Sequence, residues 1–175
     1  EVGSEALSTK DWSTLHAADT VIIDLPFLFQ NLTGSLDLVE AGKFVILTLQ
    51  IDSLQSLMSR ISQTLNADHR AILFERLSGA LSVFVNQRVL PGINNESVLA
   101  FEVILFNEIM RSYLKRGDLN ALQKIVSETG EKVGMRTLNQ SLVQLAVRRK
   151  VDLKSAFLAT PQPEDLDQLF SHIGV

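Results

Sequence analysis

Two short, uninterrupted apolar runs restrict the fold most. Thr20-Val21-Ile22-Ile23 and Phe44–Leu49 carry apolar side chains in succession rather than in alternation. That pattern marks buried strands of the kind found in parallel sheets. Between them, residues 30–41 have helical spacing, with Leu32, Leu36 and Val39 about one turn apart. Gly34 weakens this helix and Gly42 reads as its stop. Strand, helix and strand with short joints form a βαβ unit, so a parallel sheet is expected.

The pattern then changes twice. Ser53–Leu65 carries Leu54, Leu57, Met58 and Ile61 at helical spacing, with Asp52 or Ser53 able to cap it. A second helix is expected over 69–81, started by Asp68, with Ile72, Leu73, Leu77 and Leu81. Residues 82–90 and 97–106 read as strands around the turn cluster Pro91-Gly92-Ile93-Asn94-Asn95, a hairpin with a longer loop. Helices are expected over 107–116, 118–130, 134–149, 152–158 and 163–172, and a helix or loop-helix over 5–18. The expected division is therefore an α/β part, 1–106, and a helical part, 107–175.

The chain of 175 residues is 46% apolar, enough for a sizeable core. With 16 basic and 20 acidic residues its net charge is −4, which argues against a nonspecific nucleic-acid binder. It has no cysteine, so disulfides, thiolate zinc sites and cysteine nucleophiles are excluded. No apolar run approaches the roughly 18 residues of a membrane span. The expected compartment is the cytoplasm, and the absence of an initiating Met points to a piece of a longer chain.

Nucleotide chemistry is the first test for a parallel α/β sheet. A phosphate loop needs G-x-x-x-x-G-K-[ST], whose backbone N–H groups and Lys hold the phosphates. Gly42-Lys43 lacks the earlier Gly, because Asp37 stands there, and Phe44 follows it. Thr20–Asp24 has the form of a Walker B strand, with Asp24 either a Mg²⁺-shell ligand or an ordinary strand-end residue. The next residues, Leu25 and Pro26, accept no proton. His16, His69 and His172 stand far apart and read as surface or cap residues. Glu164, Asp165 and Asp167 read as the acidic start of a helix after Pro163. The basic residues Arg111, Lys115 and Arg116, and Arg148, Arg149 and Lys150, read as solvated faces, helix ends or partner contacts.

Several motifs taken in order resemble one family. Glu1-Val2-Gly3, the Walker B-like Asp19–Ile23, Val39–Leu49 and Ser59-Arg60-Ile61 come first. Gln87–Pro91, Ala100–Val103, Ile109–Gly117 and Gly134–Leu142 follow at nearly ungapped spacing. Together they resemble the C-terminal ATPase core of type IV pilus and type II secretion motors, closest to the PilT-like twitching-motility retraction ATPases. The resemblance implies a RecA-like P-loop NTPase core remnant followed by a C-terminal helical subdomain. It also implies an E-V-G segment that follows an acidic box, a phosphate loop upstream of residue 1, and ring assembly in intact members.

The departures fall at the chemistry. The family's catalytic Glu falls on Leu25, and the Arg and Asp after it fall on Phe27 and Leu28. Its His-box histidine falls on Gln50, the following Thr on Ile51, and the retraction-helix Glu on Arg116. Asp24 stands where the family usually has Gly. Hydrolysis needs a base and stabilisation of developing phosphate charge, and Leu or Phe supplies neither. The expectation is a degenerate, non-hydrolysing module with no catalytic residue and no resident metal. ATP and Mg²⁺ would bind only with an upstream phosphate loop, in which case Asp24 and Thr48 would lie near the nucleotide. Arg111, Lys115, Arg116, Phe27 and Phe29 are the expected contact residues, with Phe27–Phe29 either an exposed apolar patch or core. The expected partners are proteins of a pilus or secretion machine, or further copies of the chain, without nucleic acid or direct membrane insertion. A working motor with its phosphate loop upstream and a scaffold in another pathway are the alternatives.

Overall fold

A computed structural model describes residues 12, 14–25, 28–94 and 96–174, with the backbone alone at 25 and 28–31. Contacts divide the chain into two compact units, Glu1–Leu81 with Leu114–Gly117, and Ser82–Tyr113 with Asp118–Val175. The hairpin thus groups with most of the helices that follow it. The division by element type, 1–106 and 107–175, falls after the hairpin instead.

In the first unit, β1 (Thr20–Leu25) pairs in parallel with β2 (Phe44–Leu49), in register from Thr20 opposite Phe44 to Leu25 opposite Leu49. The connecting helix α1 (Leu28–Glu40) packs on both strands. The crossover is the expected βαβ unit. Val21, Ile23 and Leu38 form its centre, with Trp12, Leu15, Val45 and Leu47 packed around them. Gly42 has φ +83, a left-handed conformation that suits a residue without Cβ between helix and strand.

The apolar runs of β1 and β2 were expected to be buried, yet Ile22 is 69% exposed and Phe44 64%. Side chains alternate across a strand, so α1 covers Val21, Ile23, Val45 and Leu47 and leaves the alternate set outside.

Gly34 sits inside α1 for a packing reason. A Cβ there would lie 2.6 Å from the Trp12 ring. A glycine inside a helix costs about 0.5–1 kcal/mol relative to Ala, and the indole fills the space that this makes. Gly34→Ala is therefore expected to destabilise the first unit by about 1–3 kcal/mol, as overpacking does. Trp12 is the only tryptophan, so its fluorescence reports the displacement directly.

Helix α2 (Leu54–Thr64) is capped by the Ser53 side chain, which accepts from the Ser56 N–H. Its buried residues are the four expected, Leu54, Leu57, Met58 and Ile61. Helix α3 (Ala67–Ala80) starts one residue earlier than Asp68, because Asn66 accepts from the His69 N–H and is the cap. The Arg76 guanidinium ties α3 to α1, with Asp37 at 2.6 Å and Glu40 at 2.7 Å.

The second unit is built on an antiparallel hairpin. Strand β3 (Val83–Pro91) pairs with β4 (Ser97–Leu105), from Val83 opposite Leu105 to Pro91 opposite Ser97. Then come α4 (Glu108–Arg116), α5 (Leu119–Thr129), a 3₁₀ turn (Gly130–Val133), α6 (Leu138–Val147), α7 (Leu153–Ala159) and α8 (Pro163–Ile173). The last three residues of α4 group with the first unit.

Helix α6 packs on β4, α7 on β3, and α8 on α6. Leu90, Ala100, Leu138, Leu142, Val151, Ala156, Leu166 and Phe170 form one apolar cluster between them. The helix expected over 134–149 is shorter at its start. Gly134 has φ +81, and Arg136 instead forms a β-bridge with Val103. Thr137 then caps α6 in a reciprocal box with Gln140.

Candidate functional site

The site follows from the strand register. Parallel α/β sheets bind ligands beyond the carboxyl ends of their strands. Asp24 and Thr48 are opposite one another at that end of β1 and β2. The Thr48 hydroxyl donates to Asp24 Oδ1 at 2.6 Å, on the exposed face of the pair. Leu25 ends β1 opposite Leu49, and Gln50 is the exposed residue just past β2. Four sequence-derived positions, Asp24, Leu25, Thr48 and Gln50, therefore share one end of the parallel pair. Asp24 is the carboxylate at the strand end itself, and one of its oxygens accepts from the Thr48 hydroxyl. Neither Leu25 nor Gln50 is a base able to activate water.

The remaining candidates lie on α4 or outside the described side chains. Arg111 is half-buried, and its Nε donates to the Phe106 carbonyl at 3.2 Å. Lys115 forms an ion pair with Glu75 of α3, within the first unit. Arg116 is exposed at the end of α4. Phe27 lies outside the described residues, and at Leu28 and Phe29 only helical backbone is described. Among the described residues no group of His, Asp and Glu is arranged to hold a metal, and no helix is long and apolar enough to cross a membrane.

One polar pair escaped the sequence reading. Glu102 and Asn86 face each other across the hairpin and are 4% and 5% exposed. Burial pushes the Glu102 carboxyl up to about 7, with the Asn86 hydrogen bond working against that rise. The signal was present in the strands. Both residues fall in the inward phase occupied by Leu90, Ala100 and Ile104, where a polar side chain is out of place.

The βαβ parallel pair, the antiparallel hairpin and the helical C-terminal part match part of the RecA-like fold of solved ATPases. The solved pilus retraction motor PilT with bound ADP superposes with a TM-score of 0.74 at 25% identity, over 89% of this chain and 45% of that one. The Legionella pneumophila ATPase DotB follows with a TM-score of 0.68 at 12% identity, over 83% of this chain and 39% of its own. In sequence, the type IV pilus ATPase PilU of Pseudomonas aeruginosa is 22% identical over 152 residues, 86% of this chain and 40% of PilU. The resemblance to type IV pilus and secretion-motor ATPases is borne out in both sequence and fold. The chain spans less than half the length of each of these proteins. No family profile matches it.

Proposed function

We propose that this chain is a non-hydrolysing, PilT-like module that acts through protein contacts in a type IV pilus or secretion-type machine in the cytoplasm. The observation that carries the proposal is the end of the parallel pair. Asp24 is held by Thr48 at 2.6 Å, and Leu25 and Gln50 occupy the positions where the resemblance implies Glu and His. Positioned proton transfer contributes about 10²–10⁴-fold to catalysis, and that contribution is missing here. The intact sheet, hairpin and helices support a fold kept for its surfaces. Arg111, Lys115, Arg116, Phe27 and Phe29 are the proposed contact residues, with no resident metal or nucleotide.

A second reading rests on coverage. Because the chain matches 45% of the PilT chain, the alternative is a fragment of an ATP-binding motor whose phosphate loop lies upstream, against which Leu25 argues. Calorimetry with Mg-ATP and a turnover assay on the same samples, run on this chain and on a full-length parent that carries the phosphate loop, separate the two, with PilT as positive control. The expected result is neither binding heat nor turnover. Leu25→Glu combined with Gln50→His is expected to leave turnover at background, because neither change creates phosphate ligands. Turnover in either form would overturn the proposal, and binding without turnover would make the module a nucleotide sensor.

A further inference from the structure

We propose that Glu102 is a proton-controlled latch that sets how firmly the second unit holds its hairpin closed. The carboxyl is buried in the middle of β4, and its side-chain partner is the neutral amide of Asn86 directly opposite on β3. A neutral carboxyl can donate to one amide atom and accept from the other. An ionised one is an acceptor alone, and burial keeps it from water.

The charged surroundings give the carboxylate little relief. Arg88 lies on the same hairpin face, half-buried and opposite Ala100 rather than Glu102. Helix α6, packed on β4, has no ionisable side chain, and α7, packed on β3, has only the exposed Lys154. Arg136 stands over the Phe101 ring and bonds Gln144, while Arg111 bonds the Phe106 carbonyl.

The sign follows from burial. The carboxyl titrates at about 7 in the folded hairpin and at 4.5 when free in water. Opening the hairpin therefore releases a proton between these two values, and a higher pH favours the open form. Stability from the protonated latch is complete below the lower value and is lost as pH rises towards the upper one.

Hydrogen exchange of the amides at 84–88 and 100–104, corrected for intrinsic exchange rates, is the test. Between pH 6 and pH 8 the opening constant is expected to rise about tenfold, from the linkage of those two values. Glu102→Gln is expected to remove that dependence and to protect these amides at pH 8. A ¹³C titration of the Glu102 carboxyl in the unaltered chain gives an independent reading. A carboxyl that titrates below about 5, protection that does not change with pH, or the same dependence in Glu102→Gln would each overturn the latch.

Discussion

Leu142→Ala is expected to be the most damaging single truncation in the second unit, costing about 3 kcal/mol within a usual range of roughly 2–5. Leu142 is fully buried on α6, at the centre of the cluster that joins Leu90 and Ala100 of the hairpin to Val151, Ala156, Leu166 and Phe170. Elements on three sides are held by their own contacts, so the space left by the missing methyls does not close. Ala100, already fully buried and small, marks how closely helix and strand approach. Denaturant unfolding followed by far-UV circular dichroism measures the loss. Because the first unit has a separate core around Leu38, Trp12 fluorescence is expected to change midpoint less than the helical signal. Equal shifts in both signals would mean that the two units unfold as one.

Asn139→Ala is the second, with an expected loss of about 2 kcal/mol from two hydrogen bonds and the polar groups left behind. Asn139 is buried at the start of α6. Its Nδ2 donates to the Gln162 carbonyl at 3.0 Å, and its Oδ1 accepts from the Thr160 hydroxyl at 2.6 Å. The Gln162 N–H in turn donates to Thr160 Oγ1 at 2.9 Å. One amide thus fixes the short connection that delivers Pro163 to the first turn of α8. Asn139→Asp keeps the acceptor for Thr160 but turns a carboxylate oxygen towards the Gln162 carbonyl. It is expected to cost less at acid pH than at pH 8, where the ionised carboxylate makes it cost as much as Ala or more. Thermal unfolding of both variants at pH 4 and pH 8 distinguishes the lost donor from lost packing.

The resemblance drawn from the motif order survived comparison because it rested on spacing as much as on identity. At 22–25% identity to PilU and PilT, few side chains are shared, while the order of strand, helix and hairpin is. The departures that the resemblance implies at Leu25 and Gln50 were read from the sequence because both are defined by position relative to a strand. That Asp24 and Thr48 meet was not visible. Parallel register alone decides which residue of β2 stands beside Asp24, and a shift by one would have presented Leu47 or Leu49.

Element type and most boundaries were determined by the sequence itself. Apolar succession gave β1 and β2, the turn cluster Pro91–Asn95 between two strand-like runs gave the hairpin, and caps and glycines gave the helix ends. These are local effects, acting within one or two turns of chain. The tertiary structure decided the rest. It ended the expected 134–149 helix early by pairing Arg136 with Val103, since a backbone bridge to β4 satisfies groups that a longer helix would have used. It exposed Ile22 and Phe44 by covering only one face of their sheet. It grouped the hairpin with the later helices, and it buried Glu102 opposite Asn86. Each of these depends on which surfaces meet across long stretches of chain, and the periodicity of a single segment carries no record of its partner.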